Sequence, residues 1–289
     1  MEIRLAREMG FCFGVRRAIT MLERAAQRGP LATLGGVVHN RQVVEELAAR
    51  GVPAVDSLDD VPGSVVAITS HGVAPDVVAE MRRRKLRIVD TTCPFVRRAQ
   101  RAAEALAKSG FFVVLFGDED HPEVRGVLGW ARGHGVVAGS VATALAVGRS
   151  RRRLGVLAQT TQDVAAFDAF VHGLVEHRLR RLAELRVVNT ICDATADRQT
   201  AALALAAESD VVVVVGGYNS ANTRRLAQLC AERGVATHHI EVAAELGPGW
   251  FAPDSRVGVT AGASTPDGVI EDVVAALRRL AAATPVMVR

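Results

Sequence analysis

The stretch Arg87-Ile88-Val89-Asp90-Thr91-Thr92-Cys93-Pro94-Phe95-Val96-Arg97-Arg98-Ala99 decides how this chain is read. A short apolar run predicts a strand, the Thr pair its end, and Pro the first turn of an Arg-studded helix. The cysteine sits at the joint. The pattern returns near the amino end as Ile3-Arg4-Leu5 followed by Phe11-Cys12-Phe13-Gly14-Val15-Arg16-Arg17-Ala18. It returns again as Arg186-Val187-Val188-Asn189-Thr190-Ile191-Cys192-Asp193-Ala194-Thr195.

Working outward, each cysteine opens a segment of the same order. After Cys12 a helix is predicted over 15–26, then a strand over 31–34 running through Gly35-Gly36 to His39-Asn40, then a helix over 42–50. A strand over 65–68 ends in Thr69-Ser70-His71-Gly72, and a helix over 75–84 leads to Cys93. The second segment has a helix over 94–108, a strand over 111–116 ending in Gly117-Asp118-Glu119-Asp120-His121-Pro122-Glu123, and a helix or turn over 127–131. A strand over 154–158 ends in Gln159-Thr160-Thr161-Gln162, and a long helix over 164–182 leads to Cys192. The third has a helix over 197–207 and five valines, 211–215, as expected of a strand buried on both faces. Its polar loop is Gly216-Gly217-Tyr218-Asn219-Ser220-Ala221-Asn222, followed by a helix over 224–233. A strand over 256–259 ends in Thr260-Ala261-Gly262-Ala263-Ser264-Thr265, with a helix over 268–280 after it. The chain then stops where a strand before a fourth cysteine belongs, and residues 1–11 supply that strand.

The spacings keep this register: 27 residues from Cys12 to His39, 28 from Cys93 to His121 and 28 from Cys192 to Ser220. Periods of 81 and 99 between cysteines are too long for a solenoid. They predict an α/β fold of three pseudo-threefold-related lobes, each with a mainly parallel sheet. The expected lobes are 13–93, 94–190, and 191–289 completed by 1–12.

In open parallel sheets ligands bind beyond the carboxyl ends of the strands. There the repeat places Cys12, Cys93 and Cys192; His39, His121 with Glu123, and Ser220 with Asn222; and Ser70-His71, Thr160 and Ser264. Three thiolates make a tripod with one coordination position open, on zinc or on one iron of a [4Fe–4S] cluster. A helix start after each cysteine favours the thiolate form. The Ser, Thr, Asn and His loops form a cradle for a phosphate or diphosphate. The plainer reading of Ser220, Asn222 and Ser264 is helix capping, with Asn222 the cap before Thr223-Arg224. His39 and His71 also read as loop histidines bonding backbone, and Glu123 as a first-turn acid favoured by the helix dipole. As a functional group Glu123 is a proton donor, with His121 and Thr160 beside it. Cys230 shares a helix face with Leu226 and Leu229 and is expected in the core. His134, His172, His177, His238 and His239 lie outside the repeated loops and are expected to be structural.

Composition excludes several classes. Thirty-five Lys and Arg against 31 Asp and Glu leave only +4, and no stretch clusters Arg with aromatics, so nucleic-acid binding is not expected. No apolar run reaches membrane-spanning length; that over 201–215 is broken by Glu208, Ser209 and Asp210. Without a secretory leader at Met1-Glu2-Ile3-Arg4, or a disulfide-like cysteine framework, a cytoplasmic, reduced protein is expected. There is no P-loop, H-E-x-x-H or EF-hand, and Gly133-His134-Gly135-Val136-Val137-Ala138 opens no helix after a strand.

Taken together, Gly10-Phe11-Cys12-Phe13-Gly14-Val15, Val38-His39-Asn40, Ser70-His71-Gly72, Thr92-Cys93-Pro94 and His121-Pro122-Glu123-Val124 resemble the 4-hydroxy-3-methylbut-2-enyl diphosphate reductase family. Gln159-Thr160-Thr161, Asn189-Thr190-Ile191-Cys192, Asn219-Ser220-Ala221-Asn222 and Ala261-Gly262-Ala263-Ser264-Thr265-Pro266 continue the resemblance in order over nearly the whole chain. It implies a trefoil around a [4Fe–4S] cluster on Cys12, Cys93 and Cys192, whose open iron takes the substrate hydroxyl. Reductive loss of that hydroxyl would give isopentenyl and dimethylallyl diphosphate, the end of the methylerythritol phosphate route to isoprenoids. The resemblance assigns the diphosphate to His39, His71, Ser220, Asn222 and Ser264. It assigns proton delivery to Glu123 with Thr160 and His121, which also border the substrate. It also implies ferredoxin or flavodoxin as electron donor, which agrees with the absence of a flavin or nicotinamide motif. Ala221 departs from the Ser common in that family and removes one hydroxyl donor. The acidic run Asp118-Glu119-Asp120 is unusual beside an anion site and reads as partner docking or solvated loop. The rival readings are a Zn(Cys)₃ phosphoester hydrolase and a non-catalytic iron–sulfur redox sensor.

Overall fold

The computed structural model describes residues 1–147 and 151–283. The chain opens with β1 (Glu2–Leu5) and α1 (Phe13–Ala26), followed by β2 (Ala32–Leu34), α2 (Arg41–Ala49), β3 (Ala54–Val55), β4 (Val65–Ile68), α3 (Pro75–Arg83) and β5 (Arg87–Asp90). After Cys93 come α4 (Pro94–Lys108), β6 (Phe112–Phe116), α5 (Pro122–Gly129), β7 (Gly135–Val137), α6 (Val141–Val147), β8 (Arg153–Ala158), α7 (Val164–Arg178) and β9 (Glu184–Val188). After Cys192 come α8 (Asp193–Ala207), β10 (Val211–Val215), α9 (Ala221–Glu232), β11 (Ala236–Ile240), β12 (Arg256–Ala261) and α10 (Asp267–Ala283).

The strands form three four-stranded sheets, ordered β5-β4-β2-β3, β9-β8-β6-β7 and β1-β12-β10-β11, with parallel pairing throughout. The order is the same in all three, and β1 takes the place that β5 and β9 take in theirs. Its register runs from Glu2 opposite Arg256 to Leu5 opposite Val259. Two compact units account for the chain. One comprises Met1–Val15, His39–Val43 and the chain from Asp193 onward; the other comprises Arg16–Val38 and Val44–Cys192.

Burial explains the strand sequences. The five valines of β10 lie between β11 and β12 and are all buried, as a strand covered on both faces requires. Each contributes roughly 1.5–3 kcal/mol relative to exposure. On β6 and β8, Val113, Leu115 and Leu157 pack on Val96, Ala99, Ala103 and Leu106 of α4. The opposite face of that sheet carries Phe116 against Phe167 and Phe170 of α7, with ring centroids 5.9 and 4.8 Å apart. Cys230, fully buried beside Leu226, is core as expected, and burial pushes its thiol up to about 11.

The element boundaries differ from expectation where local chemistry intervenes. β2 ends at Leu34 because Gly35 turns the chain with a φ of +80°. α5 begins earlier, at Pro122, capped by His121, and α8 begins directly at Asp193. α6 was not anticipated; its small apolar residues are started by Ser140, whose hydroxyl accepts from the Thr143 N–H at 3.2 Å. Within the larger unit, α5 and α4 pack on the loop that follows Ser70-His71. Trp130 Nε1 and Gln100 Nε2 both donate to the Val73 carbonyl, at 3.1 and 3.3 Å. Gly129 makes that approach possible, since a Cβ there would overlap the Ala74 methyl. Gly129→Val is therefore expected to cost about 1–3 kcal/mol by overpacking. Thermal unfolding would show it as a Tm lower by several degrees, and an unchanged Tm would mean that the loop yields freely.

Candidate active site

The three repeated cysteines occupy one structural position. Each is the residue before a helix: Cys12 before α1, Cys93 before α4 and Cys192 before α8. Each backbone N–H donates to the carbonyl two residues beyond the neighbouring strand's end: Cys12 to Ala263 at 3.1 Å, Cys93 to Ser70 at 3.0 Å and Cys192 to Thr160 at 3.1 Å. The turns ahead of Cys93 and Cys192 are also alike. Asp90 Oδ1 accepts from the Thr92 N–H and Asn189 Oδ1 from the Ile191 N–H, both at 3.0 Å. Thr91 Oγ1 donates to the Ile68 carbonyl at 2.5 Å, and Thr190 Oγ1 donates to that of Ala158. Before Cys12 this device is replaced by Gly10, whose φ of +73° makes the turn without a side chain.

All three cysteines are half-buried, and none of them is in a disulfide. Three soft sulfur donors at equivalent positions suit zinc or an iron–sulfur cluster. Among the described residues no group of three or more His, Cys, Asp or Glu side chains is closed into a metal cage. What equates the three thiols is their place in the fold.

In the unit holding Cys93 and Cys192, Glu123 sits in the first turn of α5 and is 2% exposed. Thr160 holds both its oxygens: the Thr160 N–H donates to Oε1 and the Thr160 hydroxyl to Oε2, each at 2.7 Å. Burial pushes the Glu123 carboxyl above the ordinary carboxylate range, and the two Thr160 bonds oppose the shift without cancelling it. His121 caps α5, its Nδ1 accepting from the Glu123 N–H at 3.2 Å. That bond assigns the proton of the neutral ring to Nε2. The His71 ring meets the His121 ring edge-on at 5.6 Å. Four expected residues (His71, His121, Glu123 and Thr160) are thus linked in one group.

The other unit holds Cys12, His39, Ser220, Asn222 and Ser264. Ser220 caps α9, accepting from the Thr223 N–H at 3.3 Å, and Ser264 Oγ reaches the His39 carbonyl at 3.4 Å. Burial and then the Arg224 charge hold His39 below its usual range. Asn222 lies inside α9, two residues past the cap, so the capping role belongs to Ser220 alone. Asn222 is 3% exposed, and neither its Oδ1 nor its Nδ2 has a partner among the described residues. Ala221, which offers no hydroxyl, is the first residue of α9. The Asp118-Glu119-Asp120 run is exposed.

Sequence reasoning missed the hydroxyls of Thr91 and Thr190. Their shared place two residues before a cysteine was the available signal. His238 and His239 lie on β11: His238 stacks on Trp250 at 3.8 Å, whereas His239 reaches the third polar loop, its Nε2 2.8 Å from the Gly216 carbonyl and its ring 4.8 Å from that of Tyr218.

Residues 3–278 match the family model described as LytB protein. The chain is 48% identical to the 4-hydroxy-3-methylbut-2-enyl diphosphate reductase of Dehalococcoides mccartyi (strain CBDB1), over 98% of this chain and 99% of that one. It is similar to a solved structure of (E)-4-hydroxy-3-methyl-but-2-enyl diphosphate reductase, described as the terminal enzyme of the non-mevalonate pathway. That likeness has a TM-score of 0.70 and 39% identity, covering 96% of this chain and all of that one. The fold is also that of the corresponding reductase from Plasmodium falciparum, with a TM-score of 0.87 at 24% identity over 95% of this chain and 87% of that one. With its three cysteine junctions and its buried Glu123–Thr160 pair in place, this chain belongs to the LytB family, that of the 4-hydroxy-3-methylbut-2-enyl diphosphate reductases.

Proposed function

We propose that this protein is an oxidoreductase that reduces (E)-4-hydroxy-3-methylbut-2-enyl diphosphate to isopentenyl and dimethylallyl diphosphate. Two electrons and two protons enter, and the substrate's hydroxyl leaves as water. The observation that carries the reading is Glu123, a buried acid bonded through both oxygens to Thr160, in a chain whose relatives bear that name. In this reading Cys12, Cys93 and Cys192 hold a [4Fe–4S] cluster with one iron open, which when bound supplies the electrons and a Lewis acid. Zinc suits the same thiols but has no redox chemistry, so a reductase favours iron and sulfide over the hydrolase alternative. A sensor would have no use for the buried acid.

The chain's own residues do the rest. Burial disfavours the Glu123 carboxylate and so favours the acid form that can give up a proton. With Glu123 protonated the 2.7 Å contact reverses: Oε2–H donates to Thr160 Oγ1, which takes that proton as its own hydroxyl proton passes to the departing oxygen. His121, oriented by the bond to its Nδ1, presents Nε2–H as a second donor. For the diphosphate, His39, His71, Ser220, Asn222 and Ser264 supply neutral donors. The orphaned Asn222 Nδ2, whose burial costs about 1–3 kcal/mol, gains an acceptor when phosphate oxygens arrive. The electrons come from a ferredoxin- or flavodoxin-type protein in the cytoplasm, a compartment that keeps thiols reduced. Among the described residues no helix is long and apolar enough to cross a membrane.

Anaerobically prepared protein is expected to hold about four iron and four sulfide per chain; zinc in their place would refute the reading. Glu123→Gln should keep the iron and lower turnover by about 10²–10⁴-fold, so near-normal turnover would exclude Glu123 as the acid. The raised carboxyl also sets a sign for stability. Between its ordinary and raised pKa the folded state binds the extra proton, so stability falls as pH rises through that window. The stability of Glu123→Gln relative to the parent should therefore increase between about pH 5 and about pH 8, as read by urea unfolding. A difference that is equal at both values would contradict the burial argument. Asn222→Leu should fold at least as stably, having lost the orphaned amide, while its KM for the diphosphate rises about tenfold or more, equivalent to about 1.4 kcal/mol.

A further inference from the structure

An arginine on the helix after each cysteine reaches the turn that presents the next one. Arg17, five residues past Cys12, donates from Nη1 to the Thr91 and Thr92 carbonyls at 3.4 and 3.3 Å, the two residues ahead of Cys93. Arg98, five past Cys93, donates from Nη2 to the Asn189 and Ile191 carbonyls at 3.5 and 3.2 Å, in the turn ahead of Cys192. Arg198, six past Cys192, donates from a buried Nη2 to the Gly10 carbonyl at 2.9 Å, two residues ahead of Cys12. Its Nη1 holds the Ala194 carbonyl at 2.8 Å. In sequence the contacts close a cycle, from 12 to 93, from 93 to 192, and from 192 back to 12. The shift from five residues to six accompanies the one turn built on a left-handed glycine.

We propose that Arg17, Arg98 and Arg198 are positioning residues for the cysteine centre, fixing each cysteine's turn and, as a set of cations beside it, raising the reduction potential of the group the thiols hold. The potential half of this inference rests on the iron–sulfur reading above; the positioning half does not. A guanidinium bonded to a backbone carbonyl is a charge-assisted, directional contact, and it remains charged throughout the working pH range. A cluster on three thiolates gains one negative charge on each one-electron reduction by the external donor, and no bond is made or broken in that step. Fixed positive charge next to the thiolate-bearing turns favours the reduced form, since net charge nearby is one of the determinants of cluster potential. The guanidinium also leaves less freedom to a turn already held by the Asx bond, the threonine hydroxyl and the cysteine N–H.

Arg98 is the residue to test, because its side chain is exposed and its loss leaves the core intact. Arg98→Gln removes the charge and the fork, and Arg98→Lys keeps the charge alone. Arg101→Gln, exposed one turn further along α4, changes net charge by the same amount away from the turn. In iron-free protein, exchange of the Cys192 N–H is expected to be about tenfold faster in Arg98→Gln than in the parent or in Arg101→Gln, as a looser turn predicts. Equal rates would overturn the positioning role, whatever the metal. In iron-loaded protein, a dye-mediated redox titration followed by electron paramagnetic resonance should give Arg98→Gln a lower potential. At a fixed poise its reduced-to-oxidised ratio should fall about tenfold, 59 mV for one electron. Arg98→Lys should recover most of that shift, and Arg101→Gln should show less than half of it. A parent-like potential in Arg98→Gln with its iron retained would overturn the tuning role. If that variant loses its iron, Arg17→Gln is read by the same criterion. A parent protein that binds no iron would instead refute the iron–sulfur reading and leave the exchange result standing.

Discussion

The amide of each repeated cysteine is tied to a carbonyl just past the end of the adjacent strand, and much else follows from that bond. Donor and acceptor lie 23 residues apart for Ser70 and Cys93, 32 for Thr160 and Cys192, and at opposite ends of the chain for Cys12 and Ala263. Each bond is worth only about 1 kcal/mol net. Its effect is geometric: it sets a thiol and a polar loop side by side at the carboxyl edge of a parallel sheet, where helices begin and strand ends leave polar groups exposed. The same act that places Cys192 also places Thr160, and with it the two donors that hold Glu123.

The fold repeats, yet its chemistry does not. Counting two residues past the helix caps Asn40, His121 and Ser220 leads to Gln42, Glu123 and Asn222. Three equivalent positions thus carry an amide that donates to the Glu241 carbonyl at 3.4 Å, a buried acid matched to Thr160, and a buried amide with no partner among the described residues. A threefold scaffold supplies three similar sockets, and the residue in each turns it toward a separate task. Burial pushes Glu123 toward its protonated form, whereas Asn222 carries no charge at any pH.

Much of this was legible in the sequence, for identifiable reasons. The wrapped repeat could be read because Cys12, Cys93 and Cys192 each punctuate a strand and a helix, and because the chain ends one strand short. Glu123 and Thr160 could be placed at the same edge for the same reason. Their direct pairing could not, because two loops from one repeat can approach by many routes and only packing selects one. Asn222 was misjudged as a cap since Asn, Ser and Thr compete for that role, and the three residues from 220 to 222 offered two candidates. The strand drawn through Gly35 to Asn40 followed hydropathy where a left-handed glycine had already turned the chain. The arginine contacts were hidden altogether, because a charged side chain on a helix carries no sign of which distant carbonyl it will reach.

The pairing of β1 with β12 also orders events in time. A ribosome releases Glu2 some 250 residues before Arg256, its neighbour in the sheet. At roughly 5–20 residues per second the nascent amino terminus waits on the order of 10–50 s for the strand that will receive it. Throughout translation the first cysteine therefore rides on an unanchored leader, while the other two are already seated. The turn that presents Cys12 cannot close until Ala263, whose carbonyl receives its N–H, has left the ribosome, so the first cysteine is seated long after the other two.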